Sequence, residues 1–107
     1  MITINVTSIP GGIELDQNNG NVSSAKNGKV QWNPGTGIER IEIIVTKKEG
    51  DIDIWSSQPA QLGKSKNWQG TVGSNAGHEY YSVKWWKTNG KHGDKDPVIT
   101  VSPTPEN

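Results

Sequence analysis

An all-β fold, built as a single antiparallel two-sheet sandwich of about seven strands, is what this sequence predicts, and three observations predict it. The branched aliphatics comprise 11 Ile and 8 Val against 2 Leu, with only 3 Ala. Stiff β-branched side chains suit a pleated surface and disfavour helices. Ten Asn, 13 Gly and 6 Pro supply turn residues at short intervals. Several short runs alternate apolar with polar residues, the period-2 pattern of half-buried strands.

Ile2, Ile4 and Val6 alternate with Thr3, Asn5 and Thr7 until Pro10, Gly11 and Gly12 stop the run. Ile13 and Leu15 begin a second short strand, and residues 16–28, almost wholly polar, read as an exposed loop. Val30 and Trp32 mark a buried strand closed by the turn at residues 33–37. Residues 38–46 put Ile41, Ile43 and Val45 on one side and Glu42, Ile44 and Thr46 on the other. Their Ile and Val richness and the turn at residues 49–51 favour a strand over an amphipathic helix. A strand over residues 51–55, a loop over 56–66, a strand over 67–73 and strands over 79–88 and 97–102 complete the set. At 107 residues the chain is of one-domain size. The domain is expected over residues 1–102, with 103–107 a flexible tail lacking apolar anchors.

Both Tyr and two of the five Trp fall within residues 80–86. Neighbours in a strand point to opposite faces, so Tyr81, Val83 and Trp85 share one face and Tyr80, Ser82, Lys84 and Trp86 the other. The first set is apolar and is assigned to the core, opposite Trp32. Asn89-Gly90 then forms a tight turn, with Ile99 and Val101 returning on the inner face. Tyr80 and Trp86 are left outside, where flat aromatic rings anchor protein partners or stack on sugars. The competing expectation is that residues 56–66 or the N-terminal strand cover them. Trp55 and Trp68, each at a strand end beside a loop, are either ligand contacts or plugs of the sandwich. Tyr80, Trp86, Trp55 and Trp68 are the candidate ligand-binding residues.

Eleven Lys and Arg balance 11 Asp and Glu, and Arg40 is the single arginine. Such scattered, balanced charge carries no footprint of nucleic acid or an acidic membrane. Without Cys there is no disulfide framework and no thiolate zinc site. His78 and His92 flank the Asn89-Gly90 turn but need a third ligand or an activated nucleophile to do chemistry. Asp94 and Asp96, like Asp51 and Asp53, are spaced as in a calcium loop without continuing into its twelve-residue pattern. No nucleophile elbow, phosphate loop or dinucleotide fingerprint occurs. No catalytic residue, metal or cofactor is therefore expected. The N-terminus lacks a cationic, apolar leader and no segment has the length of a membrane span, which predicts a cytoplasmic location unless a leader has been removed.

The order of short strands, the Val30-Gln31-Trp32 strand, and the Tyr80–Trp86 strand returning through residues 96–103 resemble immunoglobulin-like or fibronectin type III-like sandwiches. The chain is also similar to small bacterial β-sandwich proteins without an assigned role. The Cys pair of true immunoglobulin domains is missing, so the resemblance implies architecture alone. Surplus outer-face aromatics without a catalytic constellation predict a non-catalytic binding or protein-interaction module. A lectin-like carbohydrate module and a small hydrolase are the alternatives. The expected partner is a protein or a glycan. The chain is expected to be a monomer, or a weak homo-oligomer if strand 38–46 forms an uncapped edge. Glu39, Glu42, Lys47 and Lys48 are the charges available to protect that edge.

Overall fold

The structure is a computed structural model that describes residues 1–46 and 48–101. Among the described residues, ten strands form two mixed sheets packed face to face. The first sheet holds β1 (Ile2–Ile9), β2 (Gly12–Leu15), β4 (Lys29–Pro34), β6 (Trp55–Gln61) and β7 (Trp68–Val72), in the order β2-β1-β4-β7-β6. The second holds β3 (Val22–Ser24), β5 (Ile38–Val45), β8 (Gly77–Lys87) and β10 (Val98–Val101), in the order β3-β10-β8-β5. The short β9 (His92–Lys95) lies beside β8, next in line to β10.

Three expectations are corrected. The sandwich is not purely antiparallel: β1 runs parallel to β4, and β3 parallel to β10. The count is ten rather than about seven, because residues 16–28 contain β3, and β9 precedes Pro97. Residues 51–54 form no ladder, whereas residues 55–61, expected to be loop, form β6. Ile54 is buried, whereas Ile52 is 36% exposed and lies over Gly77, its N–H donating a single bond to the His78 carbonyl without a continuing ladder. The polar β6 is a strand because β7 pairs with it. The tail expected over 103–107 lies outside the described residues.

The core sits between the sheets around Trp32, which is fully buried on β4. Its ring meets Tyr81 of β8 edge-on at 5.2 Å and Trp55 of β6 at 6.4 Å. Such aromatic pairs add about 0.5–1.5 kcal/mol beyond the apolar area they bury. Tyr81 also ties the sheets together through polar atoms. Its hydroxyl accepts from the Trp32 indole at 3.3 Å and donates to the Gly20 carbonyl at 2.7 Å. Burial pushes the phenol pKa up, offset in part by the bond from Trp32. Gly20 ends a left-handed turn in which Gln17, Asn18 and Asn19 all have positive φ, a conformation that Asn tolerates better than most residues. A Cβ on Gly20 would stand 2.8 Å from the Tyr81 hydroxyl, so glycine is required where the turn meets the core.

Candidate functional site

β8 is long enough to be paired along its whole length on one side or the other, which fixes where each outward side chain stands. Tyr81, Val83 and Trp85 are buried inward, whereas Tyr80 and Trp86 are half-buried and Lys84 is exposed on the outer face. Across from them, Arg40 of β5 stands opposite Trp86, Glu42 opposite Lys84 and Ile44 opposite Ser82. On the other side, β9 sets His92 opposite Trp86 and Asp94 opposite Lys84. The β8–β9 hairpin closes through Lys87 and Lys91, with Gly90 at φ +89° in the turn. Glycine takes that conformation without the steric cost a side chain brings.

The Arg40 guanidinium lies 3.6 Å from the centroid of the Trp86 ring and donates to the Glu42 carboxylate at 3.1 Å. At this range the cation is attracted by the ring quadrupole, an effect worth about 0.5–1 kcal/mol at exposed sites. Beside the stack an open depression of about 270 Å³ is lined by Lys84, Trp86, His92, Gly93 and Asp94. Gly93 is what lets β9 sit so close, since a Cβ there would fall 2.6 Å from the Trp85 ring beneath. The depression therefore offers an aromatic ring, two cationic or ionisable nitrogen groups and a carboxylate within one hairpin.

Six residues along β8, about 20 Å at strand rise, Tyr80 forms a second stack. The Lys48 ammonium lies 4.3 Å over its ring and the His78 imidazole meets it edge-on. Asp51 organises this end. Its side chain is 0% exposed, accepts the backbone N–H groups of Lys48 and Tyr80 at 3.0 Å each, and stands 3.5 Å from His78 Nε2. Burial alone raises its pKa, but the two N–H donors and the nearby His78 and Lys48 outweigh burial and hold the carboxyl below its ordinary value.

The four candidate aromatics thus separate. Tyr80 and Trp86 are on the outer face, yet they do not form one platform. The middle of the face is closed by Ser82, which donates to Asp96 at 2.5 Å and is buried. Each ring carries a cation on one side, Arg40 on Trp86 and Lys48 on Tyr80. Trp55 and Trp68 face inward. Trp55 is 9% exposed and lies against Gly70, where a Cβ would be 2.6 Å from its ring, while Trp68 stands beside Trp32 and packs on the core. Trp55 is thus buried in the core, and Trp68 is half-buried against it. His78 and His92 sit at opposite ends of β8, about 26 Å apart by register. No group of three or more metal-ligating side chains occurs among the described residues.

Sequence reasoning placed Lys84 on the face of Trp86 but missed Arg40, His92 and Asp94 as its neighbours, and Lys48 and Asp51 as neighbours of Tyr80. The signal present was the lone arginine among ten lysines, since Arg is the cation that stacks on rings. Compared with known proteins, the chain matches no family model and no curated protein.

Proposed function

We propose that this protein is a non-catalytic interaction module that binds a protein or peptide through the Arg40–Trp86 end of its second sheet. The supporting observation is the guanidinium stacked 3.6 Å over Trp86 at the rim of the hairpin depression. Trp, Tyr and Arg are the residue types that carry most interface energy. Here the guanidinium is pre-ordered by Glu42, so little side-chain entropy remains to be lost on binding. Ile44, 38% exposed on the same face, adds apolar area. An immunoglobulin-like architecture of the sandwich is part of this reading. It is supported by the inner Trp32 packed across the sheets on β8, and the mixed strand directions depart from that pattern.

A carbohydrate is the second reading, favoured by the size of the depression and by its hydrogen-bonding rim of Lys84, His92 and Asp94. The first reading is preferred because Arg40 already occupies one face of the ring on which a sugar would stack. Selection from a phage-displayed peptide library, with Trp86→Ala as counter-screen, tests the proposal. Enrichment of peptides that bind the wild type about tenfold or more tightly than the variant, a difference of about 1.4 kcal/mol, is the expected result. Equal binding to both forms would overturn it. Peptide silence with quenching of Trp fluorescence by a sugar would transfer the site to the second reading.

A further inference from the structure

Among the described residues, β2, β3, β5, β6 and β9 each have a side without a ladder partner. Exposed edges invite pairing with another chain unless they are short, bulged or interrupted by proline. β2 and β9 are four residues long and β3 three. β6 contains Pro59 and breaks register twice. β5 has eight residues, and its one irregularity, between Ile38 and Arg40, leaves an unbroken run from Arg40 onward. At the irregular end the Lys66 ammonium already donates to the Ile38 carbonyl at 3.0 Å.

The hydrogen-bond phase of β5 follows from the Thr46 N–H, which donates to the Tyr80 carbonyl. Even-numbered residues therefore exchange bonds with β8, and Ile41, Ile43 and Val45 direct their N–H and C=O groups to the free side. We propose that β5 pairs antiparallel with β5 of a second copy, about a two-fold axis through Ile43. That register sets Ile43 against itself and Ile41 against Val45 on the inner side, and Glu42 against Ile44 and Arg40 against Thr46 on the outer side. Neighbouring registers are worse. A two-fold at Glu42 opposes two carboxylates, one at Ile44 opposes Arg40 to Lys48, and one at Ile41 runs into the irregularity and Lys66. In the favoured register the second sheets of both copies become continuous, and two Arg40–Trp86 stacks lie on one surface. A bivalent target then gains avidity without new contacts.

A single edge pairing buries less than a standard interface, so the dimer belongs to the weak class and is sought at about 100 µM and above. The absence of Cys makes the register readable. Glu42→Cys and Ile44→Cys chains, mixed under mild oxidation, should cross-link at least about tenfold faster than either chain alone. In sedimentation, the wild type should shift toward dimer with concentration. Ile44→Asp, which sets two carboxylates opposite each other across the axis, should stay monomeric with an unchanged circular dichroism spectrum. Trp86→Ala should dimerise as the wild type does, which separates this pairing from the binding reading. A wild type that remains monomeric to about 500 µM, or cross-links that form between like cysteines, overturns the proposal.

Discussion

The two outer faces of this sandwich are built on the same pleat over the same core, yet they are chemically unlike. On the first sheet, Thr3, Gln31 and Gln69 stand in one row across β1, β4 and β7, and Asn5 stands beside Asn33 in the next. Short polar groups satisfy one another there, as in the Gln31–Asn33 bond at 2.8 Å and the Asn5–Asp16 bonds at 2.7 and 2.8 Å. On the second sheet the corresponding positions hold Arg40, Glu42, Ile44, Lys84, Trp86, Tyr80, His92 and Asp94. The core dictates only the inward residues, and a row of Thr, Asn and Gln is enough to cover a sheet. Long amphipathic side chains and two cation-capped rings on one face exceed what covering a sheet requires, and the proposed binding role rests on this surplus.

The sharpest break between inner and outer chemistry is between Trp32 and Trp86. Trp32→Ala empties the centre of the core and is expected to cost about 3–5 kcal/mol, a large part of the stability of a domain this size. Trp86→Ala removes a half-buried ring and one cation–π contact, about 1 kcal/mol. Urea unfolding of both variants checks this. If Trp86→Ala proved as damaging as Trp32→Ala, the second face would be an extension of the core and its claim to a binding role would fail.

A smaller loss is expected from closing the two glycine gaps, one in each sheet. Gly70→Ala presses a Cβ on Trp55 and Gly93→Ala presses one on Trp85, each at 2.6 Å, and overpacking of this kind costs about 1–3 kcal/mol. The two variants should lose similar stability but differ in binding. Displacing β9 moves His92 and Asp94 at the rim of the depression, whereas β6 belongs to the first sheet and contributes no residue to that rim. Equal effects on peptide binding would erase the distinction between the faces.

Much of this architecture was legible in the sequence, and the exceptions have physical reasons. The alternation through Tyr81, Val83 and Trp85 identified the inner face of β8 because burial on one side imposes a period of two. β6 was hidden because its residues after Trp55 are mostly exposed, so no apolar rhythm betrays it, and its strand character comes from β7. Ile52 and Ile54 show the opposite error, a rhythm without a ladder. For the site, Trp86 and Tyr80 were readable as outward-facing. Arg40, 46 positions away from Trp86, became its neighbour only through the β5–β8 register, and His92 only through the hairpin. Trp55 and Trp68 were ambiguous in sequence because a strand end beside a loop looks the same whether the ring turns in or out.

Acid tests how Asp51 holds the Tyr80 end of the second face. The Asp51 carboxyl is held below its ordinary value of 3.8 by the Lys48 and Tyr80 amides and the cations around it. Above that value the group is ionised in both the folded and the unfolded chain, and its stabilisation is complete. As pH falls below it, the unfolded chain takes up the proton first, and the stabilisation is lost progressively until the folded carboxyl is protonated too. Asp51→Asn is expected to be less stable than the wild type at pH 7, with the gap narrowing below about pH 4. Ring signals of Tyr80, followed by NMR through the same titration, should shift in the wild type and shift less in Asp51→Asn. A gap that persists unchanged to pH 2 would remove Asp51 as the organiser of the Tyr80 end.

The least effect is expected on the first face, and it is the control on which the comparison rests. Gln31→Ala deletes the bond to Asn33 and little else, because neither side chain supports the core and water can replace the lost partner. A net loss of about 0.5–1 kcal/mol is the usual worth of such a bond, well below the glycine variants. Peptides selected on the wild type should bind Gln31→Ala unchanged. If they do not, the row of Thr and Gln on β1, β4 and β7 is itself a contact surface. The surplus of aromatic and charged groups on the other face would then have to be explained by stability, starting with the Arg40–Trp86 and Lys48–Tyr80 stacks.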